Sequence, residues 1–371
     1  MNFAYLKRYI FRILKKNKTI FNIVEWIKWH KEIDYHNQTN SSVDLKNKNT
    51  IESELKIIRK YWRCGTFHYF RYGLQYKELT TEQLLDYVPT FYFHKNIEKK
   101  HRYIDTIKYG DKLHQARLFD ERNIQSPNTL CIYRKGSFYD YKTNQSINIE
   151  TIINNSLIFS DNKLFFKPTG NCGGKGILIL KKINDNYFIN NIKIDSLNQI
   201  SNFINKNNTY IIQEKVEQNK LLNLINASSL NTIRVVTQKE NNKMIIKSCI
   251  LRMGRKGKEV DNSAQGGISI KIDTTTGQFA DYATAEHGSG KFVQHPDSGF
   301  IFKDQHIKNW PTIKDKITAI ANKLIDFNDI ALDIALTKDD VMLIEFNFRY
   351  GVEHQQCVLG GVRQLFNISN K

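Results

Sequence analysis

The stretch Ile330 to Gly351, IALDIALTKDDVMLIEFNFRYG, constrains this chain more than any other. It reads as two apolar strands joined by the polar turn Thr337-Lys338-Asp339-Asp340. Into that apolar background are set Asp333, Glu345 and Asn347. Side chains two apart on a strand share a face, so Glu345 and Asn347 point the same way. If Thr337 pairs with Val341 across a three-residue loop, Asp333 lies opposite Glu345, with cross-strand Cβ atoms about 4.5–5.5 Å apart. Carboxylates that close repel, and one must protonate unless a cation sits with them. Oxygen donors with no nearby His or Cys suit Mg²⁺, which takes one or two carboxylates and fills its remaining positions with phosphate and water oxygens. The alternative is a hairpin at a sheet edge whose acids face solvent.

The chain has 371 residues, room for two or three domains with real cores. Its 55 Lys+Arg against 37 Asp+Glu leave a net charge of +18, which favours anionic partners. Part of that excess follows from a composition rich in Asn, Ile and Lys and poor in Ala and Pro. No basic patch with interleaved aromatics of a recognised nucleic-acid module occurs, so nucleic acid is not expected as a partner. The five cysteines are odd in number and scattered without a CxxC pair, which fits a reducing cytosol and neither a disulfide framework nor a zinc site. No apolar run reaches the roughly 20 residues of a membrane span, and Lys and Arg interrupt the N-terminal apolar residues too often for a signal peptide.

Residues 1–35 read as basic amphipathic helix, with Leu6, Ile10, Ile13 and Leu14 at helical spacing among Lys and Arg. Such a helix either packs on its own protein or lies in an anionic membrane interface. Residues 36–50 have the composition of a polar linker. A helical pattern resumes near Glu52, and Thr80-Thr81-Glu82-Gln83 is a capping box. Asp111 is placed to cap a helix over Lys112 to Arg122 whose inner face is Leu113, Ala116 and Phe119. From Leu157 onward the pattern is mostly strand: LIFS, LFFKP, GILIL, TYIIQEKV, TIRVVT, MIIKSCILRMG and ISIKID. Ile313 to Phe327 is the last amphipathic helix before the hairpin.

LFFKPTGNCGGKGILIL, Leu164 to Leu180, is strand, glycine-rich loop, strand. Gly170, Gly173, Gly174 and Gly176 let backbone N–H groups close around an anion. Without a GK[ST] opening a helix this is a flap rather than a P-loop. Lys167, alone among apolar residues, is costly to bury without an anionic partner, and Lys175 lies in the loop itself. Glycine-rich hairpins with solvated lysines are also common. Arg234 and Arg252, each flanked by apolar residues on adjacent strands with Asn231 nearby, are expected to face an anion in a cleft. The alternative for them is an internal salt bridge to Glu214 or Asp261. His287 and His295 lie in a glycine-containing loop, where a histidine is more often structural than catalytic.

Read together and in order, GDKLHQARLFDERNIQSP, LFFKPTGNCGGKGI, YIIQEKVE and ALDIAL…LIEFNF resemble the ATP-grasp superfamily. The resemblance is nearest to its sugar-transfer-associated bacterial subfamily, through SLNTIRVVT, ILRMG…VDNSAQGGISIKID and HPDSG. It implies an α+β ATP-grasp fold, two α+β subdomains clasping ATP, here with a helical N-terminal extension. Expected boundaries are a helical region over 51–108, a first subdomain with the flap over 109–208, and a second with the metal site over 209–371. The resemblance makes Lys112 and Lys167 phosphate ligands and folds the flap with Gly173, Gly174 and Lys175 over the triphosphate. It sets Gln213, Glu214 and Val216 against adenine, gives Mg²⁺ to Asp333, Glu345 and Asn347, and leaves Asn231, Arg234 and Arg252 for catalysis. The implied reaction joins a carboxylate to an amine or thiol at the expense of ATP, on small and sometimes sugar-linked substrates, with the membrane approached through residues 1–35. Three positions depart from the subfamily: Leu332 stands where Trp is usual, Phe346 where a small residue is common, and Cys172 lies in the flap. A non-catalytic nucleotide-binding accessory of glycosyltransferases is the competing expectation.

Overall fold

The computed structural model describes residues 44–154, 163–170, 174–184, 186–205, 208–257, 266–285, 290–338 and 340–370, with 19, 20 and 23. The expectations for the basic N-terminal helix, the linker as far as residue 43, the LIFS strand, Asn171-Cys172-Gly173, Asp261, Asn262, His287 and Asp339 lie outside them.

Two antiparallel sheets carry the chain. The first contains β1 (Thr129–Arg134), β2 (Ser137–Asp140), β3 (Lys163–Pro168), β4 (Leu178–Ile183), β5 (Asn186–Ile189), β6 (Ile192–Ile194) and β7 (Tyr210–Glu214). Their order is β2-β1-β7-β3-β4-β5-β6. On β3 the period of two sends Leu164 and Phe166 into a core with Tyr133, Leu180 and Ile212, which leaves Lys167 on the opposite face. Because β7 pairs with both β1 and β3, the chain crosses to the second sheet only after Glu214, one strand later than the boundary expected at 209.

The second sheet contains β8 (Thr232–Glu240), β9 (Lys243–Met253), β10 (Ile268–Ile272), β11 (Thr284–Ala285), β12 (Ile330–Leu336) and β13 (Val341–Asn347). Their order is β11-β10-β9-β8-β12-β13. Glu240 pairs with Lys243 across Asn241 and Asn242, both with positive φ (46° and 58°), the conformation a two-residue hairpin requires and asparagine tolerates. One face of this sheet, with Ile233, Val235, Leu251, Leu332, Ile334 and Phe346, forms the main apolar core under the helix Trp310–Lys323. The other face carries the polar residues.

Two packing arrangements fix that polar face. The helix Lys112–Glu121 is capped as expected, Asp111 Oδ1 accepting from the Leu113 and His114 amides at 2.9 and 3.3 Å. It is a wedge: Leu113 and Ala116 pack with Ile132 of the first sheet, while Leu118 and Phe119 enter the core of the second. Gln115, which its sequence neighbours gave no reason to single out, accepts from the Phe346 amide at 2.9 Å and donates to the Phe346 carbonyl at 2.9 Å. The helix is thereby tied to the backbone of β13. Helices Lys48–Trp62, Phe67–Arg71, Thr81–Asp86 and Thr90–Glu98 share a second core with Tyr350, Val352, Val362 and Phe366, and that core reaches Val236 and Ala331. Ala331 is two residues from Asp333, so the helical region covers the polar face immediately beside the acids.

The hairpin registers differently from expectation near its turn and as expected at its acids. Val341 pairs with Leu336, not Thr337, and Ile334 with Leu343. A bulge then adds one residue on β13, and Asp333 comes opposite Glu345. Without that residue Ile344 would face Asp333 and Glu345 would turn away. Leu332 and Phe346, two of the three departures from the subfamily pattern, are direct cross-strand partners on the core face. There Phe346 stacks on Phe327 (centroids 5.2 Å, 20°) and packs with Phe119 and Phe348. A smaller residue on one strand is therefore matched by a larger one across from it, and neither touches the acids. Phe346→Ala is expected to cost about 3–5 kcal/mol and Leu332→Trp about 1–3 kcal/mol. The double variant should be more stable than their sum by at least about 1 kcal/mol. Chemical denaturation of the four proteins measures this, and strict additivity would refute the compensation.

Candidate active site

A polar row crosses the second sheet on one face. Register aligns Thr284 with Ser269, Ser269 with Arg252, and Arg252 with Thr232; Arg234, two residues on, aligns with Asp333, and Asp333 with Glu345. Arg234 grips Asp333 with both ends of its fork, Nε to Oδ1 at 2.6 Å and Nη2 to Oδ2 at 2.7 Å. Arg252 Nη1 adds a third donor to Oδ2 at 3.3 Å. Among the described residues the anion that meets both arginines is Asp333 of the same sheet, and not Glu214, where the sequence pointed to an anion in a cleft. Burial by itself would raise the Asp333 carboxyl; Arg234 and Arg252 outweigh it and hold it below the ordinary carboxylate range. Glu345 is more open, its side chain 29% exposed against 4% for Asp333, and Lys112 Nζ lies 3.3 Å from its Oε2. Asn347 Nδ2 is 3.5 Å from Asp333 Oδ2 and 3.4 Å from Glu345 Oε1, so all three side chains converge.

The first sheet supplies the opposite wall. Lys167 on β3 donates to Gln213 Oε1 at 2.9 Å, and Gln213 Nε2 donates to Thr129 Oγ1 at 2.9 Å. Burial lowers the Lys167 ammonium to about 8; Glu345 opposes that shift and Lys112 adds to it. Lys112 bridges the walls, since its amide donates to Thr169 O at 3.0 Å while its ammonium reaches Glu345. The flap leaves β3 beside this lysine pair, and its described glycines Gly174 and Gly176 have φ of +69° and +77°, conformations that favour glycine. Lys175 between them is exposed. The loop tip with Gly173 lies outside the described residues.

Other expected site residues fall elsewhere. Glu214 closes the end of β7 against Asn128, which donates to its Oε2 at 3.1 Å. Val216 follows in the crossing segment, half-buried. Asn231 is wholly enclosed: its amide nitrogen donates to Gln218 Oε1, Leu222 O and Asn226 O, and its Oδ1 accepts from Ser229 Oγ and the Gly254 amide. These contacts occupy the amide and tie the start of β8 to the end of β9, so Asn231 aligns the two arginine strands and does not face the cleft. His295 is likewise structural, Nε2 paired with Gly254 O at 3.0 Å and Nδ1 accepting from the Asp297 amide at 3.3 Å. Sequence reading passed over His354, whose Nε2 meets Ser269 Oγ at 2.9 Å. Burial first, then Arg252 and Arg234, lower it to about 3 and keep it neutral above the arginine pair. Its only signal was position, eight residues beyond Phe346 in a helix that folds back over the row.

Two antiparallel sheets, a glycine flap with lysine beneath it and an acidic hairpin facing that lysine define an ATP-grasp protein. The family model for sugar-transfer associated ATP-grasp matches residues 93–368, and the chain belongs to that family. No curated protein matches the sequence. Among solved structures it is similar to the D-alanine–D-alanine ligase of Helicobacter pylori, at 9% identity and TM-score 0.38 over 72% of this chain and 59% of that one. It is also similar to phosphoribosylamine–glycine ligase of Thermotoga maritima, at 13% identity and TM-score 0.40 over 80% and 67%. The chain thus spans less than two thirds of the Helicobacter enzyme's length.

Removing one partner of a buried ion pair strands the other, so Asp333→Asn is expected to cost about 3–5 kcal/mol. Glu345→Gln, at a half-open site, should cost less than about 1 kcal/mol. The lowered Asp333 pKa stabilises the fold above its ordinary value of 3.8, and that stability is lost as pH falls through the still lower folded value. Melting curves from neutral to acid pH should therefore show a strongly acid-sensitive limb in the wild type that is diminished in Asp333→Asn. Equal melting temperatures for Asp333→Asn and Glu345→Gln would refute the anchoring role.

Proposed function

We propose that the protein is an ATP- and Mg²⁺-dependent ligase that activates a carboxylate as its acyl phosphate and passes the acyl group to an amine or thiol. The observation that carries this reading is the convergence of Lys112, Lys167, Glu345, Asn347 and the Arg-clamped Asp333 where the two sheets meet. The donors fit Mg²⁺: oxygen ligands only, two carboxylates on one face with an amide bridging them, and no His or Cys among them. Asp333, Glu345 and Asn347 would hold the ion, with Glu345 and Asn347 offering the more open oxygens. When bound it neutralises phosphate charge and orients the triphosphate.

This chain's own groups supply the rest electrostatically. Lys167 and Lys112 lie where phosphate oxygens accumulate charge, and Arg234 and Arg252, held rigid by Asp333, present fixed positive charge to a substrate carboxylate. That carboxylate oxygen bonds to the γ-phosphorus as the bridging oxygen leaves with ADP. The nucleophile then adds to the acyl carbon, phosphate departs, and the nucleophile's proton passes to solvent or phosphate. No side-chain nucleophile is needed. Surface polysaccharide assembly or modification is the setting we propose, resting on the family's description. The accessory-protein reading is less favoured, because a protein without chemistry has no use for an acid set kept in register by a bulge.

Glu345→Gln should abolish Mg²⁺-dependent release of ADP while the protein stays folded; turnover at the wild-type rate would overturn the metal-site assignment. ATP affinity should fall as pH rises through about 8, where Lys167 loses its proton, and Lys167→Met should flatten that dependence. Weak, salt-sensitive attachment to anionic membrane through residues 1–35 is also proposed. Each basic residue near such a surface contributes about 1 kcal/mol. Co-sedimentation with phosphatidylserine vesicles at low salt tests it, and full-length protein left in the supernatant would reject it. Among the described residues no helix is long and apolar enough to cross a membrane.

A further inference from the structure

The helical region carries a groove of about 710 Å³, lined by Ile57, Lys60, Tyr61, Arg63, Leu85 and Asn370, none of which belongs to the polar row. Its size is that of a small-molecule site, about 300–1,000 Å³. Three segments build it. The helix Lys48–Trp62 sends Ile58 and Trp62 fully into the second core, while Ile57 and Tyr61, half-buried, only lean against that core. Leu85 of the helix Thr81–Asp86 does the same from the other side. The chain's end closes the groove, Asn370 Nδ2 donating to Tyr61 O at 2.8 Å. Arg363 comes from that same end, its guanidinium carbon 5.6 Å from the centre of the Tyr61 ring.

The groove is apolar within and cationic around. Lys60 and Arg63 are exposed, and Arg363 Nε is buried without a hydrogen-bond partner among the described residues. No acid lines the groove, and none among the described residues pairs with Lys60, Arg63 or Arg363. The acids of the neighbouring helix are committed to the chain's end. Glu82 Oε1 accepts from Gln364 Nε2 at 2.7 Å, and Asp86 Oδ1 from the Gln364 amide at 2.8 Å. The dipole of the helix Lys48–Trp62 accounts for cations at its C-terminal end, where Lys60 and Arg63 stand. It does not account for Arg363, which arrives from the far end of the chain. Nor does it account for Ile57, Tyr61 and Leu85 left half-open between the cations.

We propose that this groove binds an anionic phospholipid, its phosphate against Lys60, Arg63 and Arg363 and the first part of an acyl chain along Ile57 and Leu85. Unpaired guanidinium and ammonium groups match a phosphate, and arginine offers it a two-pronged contact. The apolar floor matches hydrocarbon, and each methylene it covers adds to affinity. A sugar phosphate would satisfy the cations and leave Ile57 and Leu85 against hydroxyl groups. A second copy of a chain with net charge +18, or the basic residues 1–35, would bring like charge to the rim. An anion with a hydrocarbon tail meets both halves of the groove. The inference goes beyond the ligase reading and depends neither on it nor on membrane attachment through residues 1–35.

The test is calorimetric titration of dihexanoyl phosphatidylglycerol, kept below its micelle-forming concentration, into the full chain at low salt. Wild type should bind it saturably, and added salt should weaken binding because the rim cations are exposed. Lys60→Gln/Arg63→Gln should weaken binding about tenfold or more, and Lys60→Arg/Arg63→Lys should retain it. Glycerol 3-phosphate, which lacks the chains, and dihexanoyl phosphatidylcholine, which lacks the net charge, should each bind at least about tenfold more weakly. Melting temperatures check that each variant is folded. No saturable binding by the wild type, or equal affinity in the glutamine variant, overturns the site, the latter placing the lipid elsewhere on the chain. Glycerol 3-phosphate or the choline lipid binding as tightly as the glycerol lipid overturns the choice of ligand.

Discussion

The rest of the site depends on one buried carboxylate. Asp333 sits 3% exposed in an apolar hairpin and is tolerable there only because Arg234 on the adjacent β8 and Arg252 on β9 beyond it both meet it. That contact fixes three strands relative to one another and fixes the direction of two guanidinium groups. The electrostatic problem posed by two facing acids is thus met within the protein, by Arg234 and Arg252 on Asp333 and by Lys112 on Glu345. A divalent ion is compatible with these residues but is not what keeps the acids apart. The same clamp explains why the asparagine and glutamine variants of the two acids should differ in stability although both belong to one candidate ligand set.

Around this knot, backbone ties set the remaining distances. Gln115 joins the Lys112 helix to β13, so Lys112 reaches Glu345 from a helix that also leans on the first sheet. Asn231 joins β8 to β9 at the end where both arginines emerge. Each is a buried amide whose hydrogen bonds go to the protein, and each acts by holding another residue in place. The helical region over 48–98 and the chain's end pack on the sheet beside the acids. They thereby wall the face along which His354 and Ser269 extend the polar row.

Much of this was legible in the sequence for definite reasons. Strand periodicity and a polar turn pointed to Asp333 opposite Glu345, although through a Thr337–Val341 pairing that the structure replaces with Leu336–Val341 and a bulge, and a capping aspartate placed the start of the Lys112 helix. The alternation of LFFKP put Lys167 on the face away from the core. The order of four motifs gave the family. These inferences rest on local spacing, which a sequence states directly.

What only the tertiary structure decided is which charges meet. The partner of Arg234 is Asp333, 99 positions away, where the sequence had pointed to an anion in the cleft or, as the alternative, to Glu214 or Asp261. The β13 bulge that carries Glu345 into register left no mark in the residue pattern, because Leu343, Ile344 and Phe346 are all apolar and any of them could fill the core. Leu332 and Phe346 read as separate oddities until pairing showed them to share one volume. Periodicity and capping are short-range and are written into neighbouring residues; the pairing of buried charges and the sharing of core volume are settled by distances between segments, which exist only once the sheets have formed.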